Sequence, residues 1–96
     1  MTEGTEVTVA DHAGRERFEA LVGEHVAGWI TYGRDGDVVD MQHTVVGDEY
    51  EGQGVGSALV RGALDQVREA GQKVRPTCPF VKSFIEGHQE YADLVG

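Results

Sequence analysis

The chain has a single cysteine, Cys78, among 96 residues. One thiol excludes an internal disulfide framework and suits a reducing cytosol. No apolar run approaches the roughly 18 residues that span a bilayer, so no membrane association is expected. The acidic, polar start, Met1 to Val9, does not read as a signal peptide. Positive charge is scarce, with 8 Lys and Arg against 17 Asp and Glu and a net charge of −9. Nucleic acid needs a basic surface and is not an expected partner. A cationic acceptor such as an amine is compatible, although acidity also serves solubility alone. The histidines show no metal-ligand spacing, and a lone cysteine adds little, so no metal is expected. There is no repeat, low-complexity tract or linker. A flexible N-terminus over 1–6 and one domain over 7–96 are expected.

What the chain does have is glycine, 14 residues in all. The most informative cluster is Gly52-Gln53-Gly54-Val55-Gly56-Ser57, set between an alternating run, Met41 to Val46, and an amphipathic run, Ala58 to Ala70. Glycines let backbone N–H groups crowd together without Cβ clashes. A helix N-terminus adds unsatisfied donors and a partial positive charge. Together they hold an anionic group.

Upstream, the pattern is β. Val7 and Val9 suggest a first strand, Asp11 to Gly14 a turn, and Phe18, Ala20 and Val22 a second strand. His25 to Tyr32 predicts a third strand. The Asp35-Gly36 pair signals a hairpin into a fourth, Val38 to Val46. In it, Val39, Met41, His43 and Val45 fall on one face. Downstream, Leu59, Val60, Ala63, Leu64 and Val67 form a helical stripe, and Gly71 suits a left-handed stop. Lys73 to Cys78 reads as a fifth strand. Pro79 suits the first position of a second helix, capped by Thr77 or Cys78. Phe80, Val81, Phe84 and Ile85 supply that helix's apolar side. Gly87 interrupts it, and Tyr91, Leu94 and Val95 pack the tail onto the sheet. The crossover helix makes strands four and five parallel. An α+β fold follows, a mixed and mostly antiparallel five-stranded sheet with helices packed on it.

The loop fits neither common nucleotide signature. The phosphate loop of NTPases needs a lysine after its glycines, and none follows here. The dinucleotide fingerprint needs a parallel βαβ setting, whereas the strand before this loop belongs to an antiparallel hairpin. Glu51-Gly52-Gln53-Gly54-Val55-Gly56-Ser57-Ala58-Leu59-Val60, in its β-loop-helix setting, resembles the GNAT superfamily of acetyl-CoA-dependent N-acetyltransferases. Gly54 and Gly56 match the two small positions of that family's pyrophosphate motif. Glu51 stands where Gln or Arg is usual, and is expected to point outward, leaving binding to backbone donors. Pro76-Thr77-Cys78-Pro79-Phe80 and His88-Gln89-Glu90-Tyr91 resemble the small single-domain subgroup with Cys-Pro-Phe and His-Pro-Glu-Tyr segments. Gln89 replaces the proline. The likeness runs from about Phe18 to Val95 and implies a minimal GNAT-like fold.

The resemblance implies acetyl-CoA as cosubstrate. Its pantetheine would lie between strands four and five beside Thr44, Val45 and Val46. Its pyrophosphate would rest on Gln53, Gly54, Val55, Gly56 and Ser57. An amine would attack the thioester directly, aided by a base, an oxyanion donor and an acid. The family's usual acid, a tyrosine after strand five, falls at Phe84 or Ile85 here, and neither can donate. Tyr91 is the nearest tyrosine and otherwise a packing residue. Cys78, at a helix N-terminus that favours thiolate, is the first catalytic candidate, as acid, base or acetyl carrier. It reads equally as a small buried hydrophobe. His43 is the second candidate, a base titrating near neutrality or a hydrogen-bonded core histidine. The acceptor is expected to be a lysine side chain or a small amine such as a polyamine, the location cytoplasmic and the chain a monomer or weak dimer. The alternative is a non-catalytic module that binds CoA or a protein partner.

Overall fold

The computed structural model describes residues 6–96, so all of the flexible N-terminus expected over 1–6 except Glu6 lies outside the described residues. Five strands form one sheet in chain order: β1 (Thr8–His12), β2 (Arg17–Val22), β3 (His25–Asp35), β4 (Val38–Val46) and β5 (Lys73–Pro76). The first four are antiparallel, and β5 runs parallel to β4. Helix α1 (Val55–Glu69) makes the crossover, and α2 (Pro79–Gly87) follows β5. A 3-10 stretch, Gln89–Leu94, ends in a lone bridge from Val95 to Val74.

This is the α+β arrangement expected, with local shifts. β1 reaches His12, because Asp11 pairs with Phe18 and its carboxylate accepts the Tyr32 hydroxyl. The 3-10 turn Ala13–Arg15 comes after it. β3 extends to Asp35, which pairs with Val38, leaving Gly36 and Asp37 as the hairpin centre. Gly36 takes φ +62°, open to glycine at no steric cost. α1 begins at Val55, directly after the glycines, rather than at Ala58. Its end is a Schellman closure, Gly71 N–H to Arg68 O and Gln72 N–H to Val67 O, both 3.0 Å. β5 stops at Pro76, leaving Thr77 and Cys78 as the corner before α2.

The expected shared face of β4 needs a larger correction. The β3–β4 register slips between Thr31 and Tyr32, so that Tyr32 faces Met41 while Thr31 faces His43. Gln42 is the extra residue of a bulge. Val39 and Met41 are fully buried beneath α1, yet His43 and Val45 are exposed and Thr44 and Val46 half-buried. The bulge flips the alternation, so His43 and Val45 leave the face of Met41.

One core holds the molecule together. The α1 stripe of Val55, Leu59, Val60, Ala63, Leu64 and Val67 lies on Phe18, Ala20, Ile30, Tyr32, Val39, Met41 and Val74. α2 adds Val81, Phe84 and Ile85 to the same cluster. No element of the described residues packs on the opposite sheet face. Phe80 and Val95, expected to pack, are 44% and 45% exposed instead.

Two buried tyrosines tie the edges. Tyr32 donates to Asp11, and Tyr91 donates to Asp65 of α1 at 2.8 Å. Burial first, and then the carboxylate that accepts the hydroxyl's hydrogen bond, raises both phenol pKa values above 10.0. A raised pKa means that the folded chain holds the proton more tightly than the unfolded one. That stability is whole below the ordinary value and is lost as pH rises through the folded values. Urea unfolding should therefore show stability falling above pH 10, the ordinary value of both groups. The Tyr32→Phe, Tyr91→Phe double variant should flatten the decline. An equally steep decline in the double variant would refute this account.

Candidate active site

The glycine loop is shaped by two positive φ angles, +80° at Gly52 and +79° at Gly54. The first N–H bonded back along the helix is that of Ala58, to Gly54 O at 3.0 Å. The N–H groups of Val55, Gly56 and Ser57 therefore have no helical acceptor. Among the described residues, no side chain caps the end at Gly54. Gln53 does not join this set in the same way. Its N–H turns to Tyr50 O at 3.4 Å, and its side chain donates to Glu49 O at 3.0 Å. A Cβ on Gly56 would lie 3.0 Å from Phe80 Cζ and 3.6 Å from Val46 Cγ2. Phe80, Val46, Tyr50 and the loop enclose a groove of about 210 Å³. No Lys or Arg lines it, and Glu51 stands exposed at its rim. Free donors, bare glycine surface and the positive helix end suit a pyrophosphate held by backbone alone.

Beside the groove the sheet opens. Only Val38 to Met41 of β4 pair with β5. Cys78 N–H then donates to Met41 O at 2.9 Å, turning the chain away into α2. Among the described residues, no strand lies beside the β4 edge from Gln42 to Val46. Cys78 caps α2 with extended backbone, and Pro79 occupies the first turn. The residue is 5% exposed, and its thiol lies 3.3 Å from the Thr44 hydroxyl. Burial pushes the thiol pKa up. The Thr44 hydroxyl and the N–H groups of Val81, Phe80 and Thr44 more than offset this and hold it below the ordinary value.

The candidates divide between two faces. Cys78, Thr44 and Val46 sit on the helix side with the glycine groove. His43 and Val45 face the bare side, one residue away along the open edge. Tyr91 packs against α1 with its hydroxyl donating to Asp65 and Arg61 Nη1 at 3.4 Å from its oxygen. His88 stacks on Phe84 with ring centroids 3.9 Å apart, its Nδ1 2.8 Å from Phe84 O. Both secure the tail. A larger cavity of about 410 Å³ lies at the other end of α1, between Asp11, Arg34, Phe18 and Gln72. It is remote from the loop and from the thiol, so volume does not choose the site; the donors do. Among the described residues no group of three His, Cys, Asp or Glu is placed to hold a metal.

Two features escaped the sequence reading. Phe80, Val81, Phe84 and Ile85 repeat the spacing of Leu59, Val60, Ala63 and Leu64, which are all buried, so the exposure of Phe80 has no local signal in the sequence. The Thr44 to Cys78 contact joins residues 34 apart and depends on the bulge, which has no signature of its own.

A mixed five-stranded sheet with β4 and β5 parallel, a crossover helix between them and an open β4 edge is a GNAT-type fold. The chain belongs to the GCN5-related N-acetyltransferase family, whose profile matches residues 17–94. It is similar to Protein NATD1 of Mus musculus, 32% identical over 88 residues, covering 90% of this chain and 80% of that protein. Protein NATD1 of Danio rerio is 28% identical over 108 residues, covering 99% and 98%. A GCN5-like N-acetyltransferase candidate from Staphylococcus aureus, solved in solution by NMR, superposes with a TM-score of 0.68. It is 27% identical, over 99% of this chain and 91% of that one.

The thiol environment is open to measurement. Alkylation of Cys78 should rise with a pH midpoint below that of an unstructured cysteine. Thr44→Val removes a hydroxyl that favours the thiolate and should raise that midpoint. A midpoint at or above the ordinary thiol value in the unaltered protein would contradict the assignment.

Proposed function

We propose that the chain transfers an acetyl group from acetyl-CoA to an amine by direct attack. The observation that carries this reading is the meeting of two features at one place. The unbonded N–H groups of Val55, Gly56 and Ser57 lie at the same end of the sheet where β4 loses its neighbour beside Cys78. When bound, acetyl-CoA supplies a thioester whose carbonyl carbon accepts the amine nitrogen as the carbon–sulfur bond breaks. The loop amides of Gly54 to Ser57 hold its pyrophosphate. Gln53 shapes the turn through Tyr50 and Glu49. The free β4 edge from Thr44 to Val46 aligns the pantetheine as an added strand would be aligned. Phe80 and Val46 wall the groove.

Two residues handle the protons. His43, on the bare face, takes the proton the amine loses. Cys78, with a pKa already depressed, gives its proton to the leaving thiolate. The Thr44 hydroxyl at 3.3 Å then stabilises the charge left on its sulfur. Solvent restores both groups. The acceptor is an amine, either a lysine side chain or a small amine. A buried free thiol suits a reducing compartment such as the cytoplasm.

A second reading is a module that binds CoA without turnover. It is favoured by the loop groove, which Glu51 rims and no basic residue lines. Two measurements separate the readings. Acetyl-CoA at 100 times its Kd should raise stability by about 2.7 kcal/mol in a thermal shift. Gly56→Val, which drives a side chain into Phe80, should weaken binding by about tenfold, ~1.4 kcal/mol. Thiol release across an amine panel should then show turnover in the unaltered protein, and Cys78→Ala should lower it. Binding without release from any amine selects the module. Unchanged turnover in Cys78→Ala removes the cysteine from the chemistry. No binding sinks both readings.

A further inference from the structure

The bare face of the sheet carries a row of hydrogen-bond donors in this acidic chain. The registers set His12 opposite Arg17, Arg17 opposite Thr31, and Thr31 opposite His43. Facing partners in antiparallel strands share a face. Each residue of the row adjoins one turned to the helices: Phe18 and Ile30 are buried there, and Thr44 meets Cys78. His12 and His43 are exposed, and Arg17 and Thr31 half-buried.

Arg17 is fixed in place. Its guanidinium carbon lies 4.5 Å from the centroid of the Trp29 ring. Its Nε donates to Glu19 Oε2 at 2.7 Å. Glu19 is only 8% exposed, and Arg17 supplies its ion pair. The contact uses one of the five N–H donors of the guanidinium. The two terminal nitrogens have no hydrogen-bond partner among the described residues. One strand away the Thr31 hydroxyl is buried and also lacks a partner. A buried unsatisfied hydroxyl is costly.

We infer that this row seats the carboxylate of the amine acceptor, so that the acceptor is a small ω-amino carboxylate. The inference rests on the transfer reading above and narrows it. The terminal nitrogens of Arg17 form the fork that matches a carboxylate. The span from Arg17 to His43 is two strand spacings, about 10 Å. His43 stands at the open edge where the amine must arrive. An extended chain of about five methylenes bridges a carboxylate and an amine across such a distance. A polyamine is disfavoured, because its second cation would meet Arg17.

Trp29 is the only tryptophan and lies under Arg17, so its emission reports the seat without any turnover. Hexanoate and 6-aminohexanoate should change the emission saturably, and hexylamine and 1,6-diaminohexane should not. Thiol release with 6-aminohexanoate should exceed that with hexylamine about 10- to 100-fold in kcat/KM, the worth of a charged hydrogen-bond pair. The Arg17→Met, Glu19→Gln double variant removes both charges together, leaving no buried carboxylate unpaired. It should abolish the emission response and bring the kcat/KM ratio near one. Arg17→Lys keeps the charge and loses the fork. It should lose most of the ratio, and serves if the double variant does not fold. Silence of Trp29 toward carboxylates, preference for the diamine, or an unaltered ratio in both variants would overturn the inference. If Trp29 responds through Arg17 while no amine releases thiol, the transfer reading fails and the carboxylate seat stands.

Discussion

The hydrogen bond from Cys78 N–H to the Met41 carbonyl, 2.9 Å long, fixes the point at which β4 and β5 part. The two prolines make this a corner rather than a continued ladder. Pro76 ends the strand without an N–H to extend it. Pro79, with its fixed φ, starts the helix. Thr77 and Cys78 have to turn between them. β4 meanwhile runs on for five residues beyond the last pair, to Val46. The open edge, the thiol beside Thr44 and the groove under Phe80 all follow from that divergence. A β5 that stayed paired to Val46 would leave no edge free and no place for the thiol to meet Thr44.

The fold was largely legible because its signals are local. Alternation through Phe18, Ala20 and Val22, the Asp35-Gly36 turn, the α1 stripe and the Gly71 stop each act over a few residues. The Cys78 cap was legible because Pro79 follows it. The bulge was not legible. Met41, His43 and Val45 keep a regular alternation on paper, and no glycine marks Gln42. What inserts the extra residue is the pairing of β3 with β4, a long-range fact. Its effect is to move His43 off the thiol's face and put Thr44 there. The glycine loop is legible in the sequence as an anion cradle, but which donors stay free depends on the fold. Only coordinates reveal that Gln53 is tied to Tyr50 and Glu49, while Val55, Gly56 and Ser57 keep their N–H groups unbonded. The Arg17, Glu19 and Trp29 cluster was hidden for a similar reason. Outward polar residues on β2 follow from alternation, but their neighbours across β3 depend on register.

Charge is arranged against the grain of the composition. The loop groove has no basic lining and an acidic rim at Glu51, so any anion there is held by dipoles and N–H groups. Arg61 and Arg68, which follow the loop along α1, are committed elsewhere. Arg68 binds Asp93 at 2.9 Å and the Glu90 carbonyl at 2.7 Å. Arg61 reaches Tyr91 and Glu90. These arginines fasten the tail onto α1 instead of meeting a ligand. Exposed ion pairs of this kind add little stability singly, yet here they flank a buried tyrosine whose proton is itself committed to Asp65. The tail is thereby pinned, and Tyr91 is held in packing rather than left free to move toward the thiol.

A sheet covered on one face bears a cost and opens a route. Val26 and Val45, on the bare side, remain 42% and 40% exposed, area that a second layer would remove from water. In exchange the β4 edge can be approached from both faces at once. On the proposed reading the helix side, with its glycine groove and thiol, takes the cosubstrate. The bare side, with His43 and the Arg17 row, takes the acceptor. The slot beyond Met41 is where the two meet. Covering the bare face would bury Val45 and strengthen the core, but it would also bury His43 and close that approach. The exposed valines are then a consequence of access, and the single-layer core under α1 has to supply the stability that the other face forgoes.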